Sequence, residues 1–380
     1  MLNRDLKPLY QKLEQAKKDV LRLQDDDDFL AIGNYIGNLY LALACMGDME
    51  IKPDKNKFLG SSENYKRFID HLNVYNDQLL ENFLLNKDFH ASYIGEVLPE
   101  IEEELPGLCE LPEVDSYQLS PQEFADILYG FLESIGLVPL FERYMDEKRI
   151  HHTIVGVSGS NLGSTLHNPF RHDTDLFVKQ FEPTYNHMTT LVHELGHAYD
   201  LEQFHGNIKE YNTYFYLSYY GEVISRLVER LLHRYCLKNG LVLPLVKSAY
   251  VDYQELNHDY YICGYILSLL TPEMLKNDCN DAAAIVKQVK DYFIEGAPVE
   301  KFVETAQELS MPEAYPYLYG DVLSMFLADD VEKNGMNSEM MQYFFSHRAE
   351  PFQEEFLREC GFGPGNYAKL YRKEVELAKK

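Results

Sequence analysis

TLVHELGHAYD, residues 190 to 200, is the stretch from which the rest of the chain is read. Leu191, Val192 and Leu195 are apolar and root the segment in a core as a helix, while Gly196 and Ala198 are small enough to let a neighbouring element approach. His193 and His197 are four residues apart, so on a helix they lie on one face, one turn from each other. Glu194 directly follows the first of them. Two imidazoles in that relation can bind one Zn²⁺ at about 2.0–2.1 Å each, and the glutamate can reach a water at the ion as a general base. A chance match to His-Glu-x-x-His is expected in fewer than about one chain in ten of this histidine content. The pattern alone therefore leaves open a partly buried helix whose histidines pair with carboxylates.

Downstream, YYGEVISRLVERLLHRY, residues 219 to 235, reads as an amphipathic helix with Val223, Ile224, Leu227, Val228, Leu231 and Leu232 as its apolar stripe. Glu222 stands at its start, 25 residues after His197, an interval long enough for a helix end, a loop and a return. A catalytic zinc commonly has three protein ligands and an open fourth position, which makes Glu222 the candidate third ligand. Glu229, two turns on, shares its face and could accept a hydrogen bond from a ligand imidazole. Plainer readings stand beside these: Glu222 as a helix-start carboxylate favoured by the dipole, and Glu229 as a surface salt-bridge partner.

Upstream, residues 150 to 180 are rich in β-branched residues, glycine and turn formers, and are expected to form two or three short strands. GVSGSNLGS from Gly156 lacks the ending of a phosphate-binding P-loop and fails the Gly-x-Ser-x-Gly elbow, so it reads as a flexible loop. His151, His152, His167, His172 and His187 read as solvated loop histidines. Elsewhere the helical period dominates, at Leu6, Leu9, Tyr10 and Leu13 and again at Leu79, Leu80, Phe83 and Leu84. FLAIGNYIGNLYLALACMG from Phe29 is too polar and too short to span a bilayer comfortably and reads as a buried helix. HDYYICGYILSLL from His258 reads as a core helix. A helix is expected to open after Ser120-Pro121, with Glu123 completing a capping box, and to stop near Gly136. The prolines at 106 and 112 are expected to separate helices. The expected fold is mainly α, with an N-terminal helical lobe over 1–140 and a second lobe over 141–380. That second lobe carries the motif and a small sheet at about 150–180.

Bulk properties narrow the partners. With 380 residues, 46% of them hydrophobic, the chain can bury a large core. The formal charge is 35 − 61 = −26, which repels phosphate backbones and anionic lipid, so neither nucleic acid nor a membrane surface is expected as a partner. The six cysteines include no Cys-x-x-Cys pair, which fits reduced thiols and a cytoplasmic location. MLNRDLKPLYQKLEQAKKD at the N-terminus has no apolar core and does not read as a secretion signal.

The segment from Asp175 to Glu229 resembles the thimet oligopeptidase and oligoendopeptidase F family of zinc peptidases, through DLFVKQFEPTYNHM, TLVHELGHA and GEVISRLVE. The resemblance implies a two-lobed, zincin-like helical metallopeptidase with the small sheet next to the HExxH helix. It further implies one Zn²⁺ held by His193, His197 and Glu222, Glu194 as general base, and a peptide as substrate. The family has a second carboxylate seven residues after the ligand glutamate, which Glu229 matches. A later stretch, AYPYLYGDVLSMF from Ala314, is similar to the family's tyrosine-rich segment. Tyr317 best matches the tyrosine that stabilises the oxyanion, and Tyr315 and Tyr319 are its neighbours, expected to line the cleft and bind substrate. Residues 300 to 314 contain no histidine, a departure from the family, which usually has one there. The chain is also short for the family, as if the N-terminal lobe were reduced and the cleft more open. Asp175–Gln180 is expected to be an edge strand that pairs with the substrate backbone. Alternatives remain: a catalytically silent helical binding protein that keeps the metal site, a zinc hydrolase of another amide or an exopeptidase, and a helical interaction protein without metal.

Overall fold

The computed structural model of the chain describes residues 6–23, 26–46, 58–109, 118–153, 163–179, 182–241, 243–270, 287 and 311–379. In chain order the elements are α1 (Lys7–Val20), α2 (Asp26–Cys45), α3 (Ser62–Cys109), α4 (Pro121–Ile135), α5 (Val138–Asp146), β1 (Ile150–Thr153), β2 (Gly163–Asn168), β3 (Asp173–Lys179), α6 (Tyr185–Glu202), α7 (Ile208–Tyr216), α8 (Val223–Lys238), α9 (Leu243–Leu269), α10 (Met311–Asn334), α11 (Glu339–His347), α12 (Glu354–Glu359) and α13 (Pro364–Lys379). The protein is mainly helical, with one small sheet beside the helix that carries His193 and His197. Among the described residues no helix is long and apolar enough to cross a membrane.

Contacts divide the chain into two compact units, each drawn from two stretches: Met1–Gln78 with Gln118–Phe215, and Leu79–Tyr117 with Tyr216–Lys380. The first crossing between them falls inside α3, which continues through it without a break.

In the first unit, Ser120 caps α4 as its composition predicts: its hydroxyl accepts from the Glu123 N–H at 3.2 Å and the Glu123 carboxylate returns to the Ser120 N–H at 2.8 Å. Gly136 ends the helix with φ of 76°, a left-handed conformation that glycine adopts without a Cβ clash. α2 is buried along Phe29, Leu30, Ile32, Ile36, Leu39 and Leu43. The sheet has strand order β1-β3-β2, with β1 parallel and β2 antiparallel to β3. α6 packs against β2 and β3. Its first turn is capped by Thr184, whose Oγ1 accepts from the His187 N–H at 3.1 Å.

Three expectations are corrected here. β3 is the central strand, paired on both sides, so Asp175–Lys179 is no edge; β2 is the strand of the antiparallel pair whose other side carries no described strand. His151, His167 and His187 are not solvated loop residues. His151 pairs from β1 with the buried Asp175 at 3.0 Å, His167 is buried in β2 with its Nδ1 at 2.7 Å from the Thr174 hydroxyl, and His187 is buried in the first turn of α6. Pro106 does not end α3, which continues to Cys109. Burial of Tyr93, Ile94, Val97, Leu98 and Ile101 anchors the turns before it, and a proline this close to a helix end forfeits little hydrogen bonding. Pro112 and most of the Gly156–Ser164 loop lie outside the described residues.

The second unit is built on α8, α9, α10 and α13, which converge on buried Asp321 of α10. Its carboxylate accepts from Asn257 at 2.9 Å, Tyr261 at 3.1 Å and Tyr367 at 2.8 Å, and pairs with Arg230. Arg230 is also 3.1 Å from Glu374. Asp321 and Arg230 are fully buried, where charges persist only when paired and hydrogen-bonded.

Candidate active site

Helix α6 presents His193 and His197 as its two half-buried positions among buried neighbours from Leu191 to Leu201. Their rings meet edge to face, with centroids 4.9 Å apart and planes at 82°. The i, i+4 spacing thus brings the two imidazoles into one place, as the sequence predicts. Glu194, on the same turn, is only 5% exposed. The Thr165 hydroxyl, on β2, donates to Glu194 Oε2 at 2.7 Å and lies 3.1 Å from the Glu194 carbonyl oxygen. Gly163, at the start of β2, lies against the same side chain: a Cβ there would sit 2.6 Å from Glu194 Oε1 and 2.8 Å from its Cγ. The sheet therefore fixes the carboxylate of the candidate base, a contact 29 residues apart in sequence that no local pattern announces.

In the second unit Glu222 is the residue preceding α8, and its carboxylate makes no capping hydrogen bond to the helix backbone. Ser225 Oγ instead lies 3.0 Å from Glu222 Oε2 and 2.9 Å from the Glu222 carbonyl oxygen. The reading of Glu222 as an ordinary capping carboxylate does not account for this arrangement. All six stripe residues of α8 are buried. Glu229 is 3.1 Å from Arg226 Nη1, a partly buried ion pair one turn away on α8.

The tyrosines of α10 divide by face. Tyr317 is half-buried and stacks on Tyr260, with centroids 4.6 Å apart and planes at 8°, while the Arg226 guanidinium lies 5.8 Å from its ring centre. Tyr315 and Tyr319 turn the other way, into the core, and are fully buried. Tyr315 donates to the Gly264 carbonyl at 2.8 Å, and the Tyr319 hydroxyl shares a hydrogen bond with His90 Nδ1. The expectation that Tyr315 and Tyr319 line a cleft is thereby corrected. At i and i+4 they share the inward face, whereas 317 lies on another. His90 was not anticipated: burial holds its pKa down at about 3, so it stands neutral amid Phe83, Tyr219, Tyr315, Tyr319 and Phe352.

Two imidazoles and a carboxylate are a donor set that suits Zn²⁺ and leaves a fourth position open, so the candidate ligands fit the ion by their chemistry.

No protein-family model matches the chain, and no curated protein matches it. Among solved structures the chain is similar to a "putative peptidase" from Chlamydophila abortus, at 13% identity and a TM-score of 0.44, over 93% of this chain and 62% of that one. It is also similar to a "putative oligoendopeptidase F" from Bacillus anthracis str. Ames, at 12% identity and a TM-score of 0.45, over 99% of this chain and 80% of that one. The chain thus spans less than two thirds of the first of these. Likeness of this degree decides nothing about activity, which has to be argued from the chain's own residues.

Proposed function

We propose that the protein is a zinc-dependent metallopeptidase that hydrolyses peptide bonds in oligopeptides in the cytoplasm. His193, His197 and Glu222 hold one Zn²⁺, Glu194 is the general base and Tyr317 the oxyanion donor, with Glu229 in support of the ligands. The observation that carries this reading is the pairing of the His193 and His197 rings on one helix face beside a carboxylate, Glu194, that Thr165 holds in place. A helix whose histidines merely filled a core would need no such carboxylate, buried at 5% exposure and fixed by a hydroxyl. The side chains of His193, His197 and Glu222 are of the types that could hold an ion.

When bound, the ion would act as a Lewis acid, acidifying water and polarising a carbonyl. Glu194 accepts the proton of the attacking water and returns it to the leaving amine. Thr165 keeps the carboxylate oriented for both transfers. The Tyr317 hydroxyl donates to the developing oxyanion, a contribution of roughly 3–4 kcal/mol for one such donor.

The test is metal analysis of the purified protein followed by assay on a mixed peptide library, with and without chelator. Bound zinc and cleavage that chelation abolishes support the reading. Bound zinc without cleavage of any peptide turns it into a silent binding protein, and cleavage indifferent to chelator removes the metal from the mechanism.

A further inference from the structure

We propose that Gly320 and Ser225 set the position of the Glu222 carboxylate, so that the face of the tyrosine-rich helix α10 that carries Gly320 is the seat of a metal ligand. This rests on the reading of Glu222 as a ligand.

Gly320 sits in the middle of α10, where glycine costs about 1 kcal/mol relative to alanine and calls for a reason. The reason is the start of α8. A Cβ at Gly320 would lie 2.9 Å from Cβ of Glu222, 3.1 Å from its carbonyl oxygen and 3.2 Å from its carbonyl carbon. Two of these atoms are backbone and cannot swing aside. The main chain of Glu222 therefore rests directly on the main chain of α10, a contact only glycine permits.

Three further contacts fix that seat from different sides. Ser225, fully buried, directs its hydroxyl at Glu222 Oε2 from 3.0 Å and so orients the carboxylate itself. Tyr219, three residues before Glu222, has φ of 61°, a conformation a bulky residue keeps only where its surroundings impose it. Its ring is held by Tyr315 at 5.4 Å and Phe352 at 5.5 Å and lies near-parallel to Tyr319 at 6.3 Å. Asp321, the residue after Gly320, ties that turn of α10 to α8, α9 and α13 through Arg230, Asn257, Tyr261 and Tyr367. Residues 315, 319, 320 and 321 thus form one rigid platform, and the inward burial of Tyr315 and Tyr319 acquires a purpose. A ligand carboxylate brought by a loop needs such support, because misorientation of a metal ligand weakens binding even when the ligand itself is intact.

Simple helix packing makes a different prediction. If Gly320 only lets α8 and α10 pack closely, its loss lowers stability and leaves the metal affinity of the folded protein unchanged. The experiment is competition for Zn²⁺ against a chromophoric chelator, with the visible spectrum of the Co²⁺-loaded protein as a report on ligand geometry. Wild type is compared with Ser225→Ala, Gly320→Ala and the control Ser324→Ala, which removes a buried α10 hydroxyl bonded to Arg230. The expected result is a loss of Zn²⁺ affinity of about 10-fold or more in Ser225→Ala and Gly320→Ala, with an altered Co²⁺ spectrum and no such change in the control. Should Gly320→Ala fail to fold, Ser225→Ala decides, since it adds no atom. Ser225→Ala binding within about threefold of wild type with an unchanged spectrum overturns the seat while leaving the metal site standing. A wild-type protein that binds no zinc overturns both.

Discussion

Glu194 can act as a base only if its carboxylate stays where the proton must go, and Thr165 is the residue that holds it, at 2.7 Å. Two predictions belong to this scale. Glu194→Gln keeps the size of the side chain and removes its basicity, so it should retain zinc and lose roughly 10²–10⁴-fold in kcat, the usual worth of a general base. Metal analysis alongside peptide turnover checks this, and hydrolysis at the wild-type rate would exclude the mechanism. Thr165→Val is nearly isosteric and removes only the hydroxyl. It should lower kcat on the order of 10-fold with KM and zinc content little changed, and Thr165→Ser should restore most of it. A Val variant with wild-type kcat would mean that Thr165 has only a packing role. The pairing of the His193 and His197 rings was legible because residues four apart on a helix share a face. Thr165, Gly163 and His90 were not, because their partners are remote in sequence. Gly320 carried a faint signal, a glycine inside a helical run, which marks a close approach without naming what approaches.

At the scale of elements, the helices followed from their apolar period, α4 down to its capping box and its terminal glycine. The three strands followed from composition, but their order did not, since which of three short strands lies in the middle depends on pairing partners rather than on any one strand's residues. α10 shows the same limit. Its tyrosines are plain in the sequence, yet their division between core and half-exposed faces required knowing that Pro316 lies inside the helix rather than ending it. The second unit depends on a junction of four helices at Asp321, where every hydrogen-bond donor is buried. Asp321→Ala leaves the Arg230 cation short of a partner in a site with no solvent, and removal of one partner from a buried pair typically costs about 3–5 kcal/mol. Urea unfolding should show that loss as a lower midpoint with little change in slope. A shift equivalent to less than about 1 kcal/mol would mean that the junction tolerates the vacancy.

At the scale of the molecule, no compositional break marks where one compact unit hands the chain to the other. Phe68, Tyr75, Leu79 and Phe83 continue one buried stripe along α3 across the boundary after Gln78, so the sequence reads as a single helix on either side. Both units share a pH sensitivity that would not depend on a bound ion. His167 in the first unit, and His90 and His233 in the second, are buried, and burial holds their pKa values down at about 3, 3 and 4 against an ordinary value of 6.5. Below 6.5 the unfolded chain takes up protons at these positions while the folded chain does not. Their contribution to stability is therefore complete above pH 6.5 and is lost as pH falls toward 3–4. Each such histidine costs up to about 1.4 kcal/mol per pH unit in that window, or roughly 4 kcal/mol for the three together. Glu374, which burial would raise but Arg230 and Arg234 hold below the usual carboxylate range, adds to the loss at the acid end. A total stability of about 5–15 kcal/mol would be exhausted within a few pH units. Urea midpoints measured throughout in excess chelator, so that release of an ion plays no part, should fall steeply between about pH 6 and pH 4 and change little between about pH 7 and pH 8. A midpoint that stays constant down to about pH 4 would show that these histidines take up protons in the folded state, and that their surroundings are wetter than their burial implies.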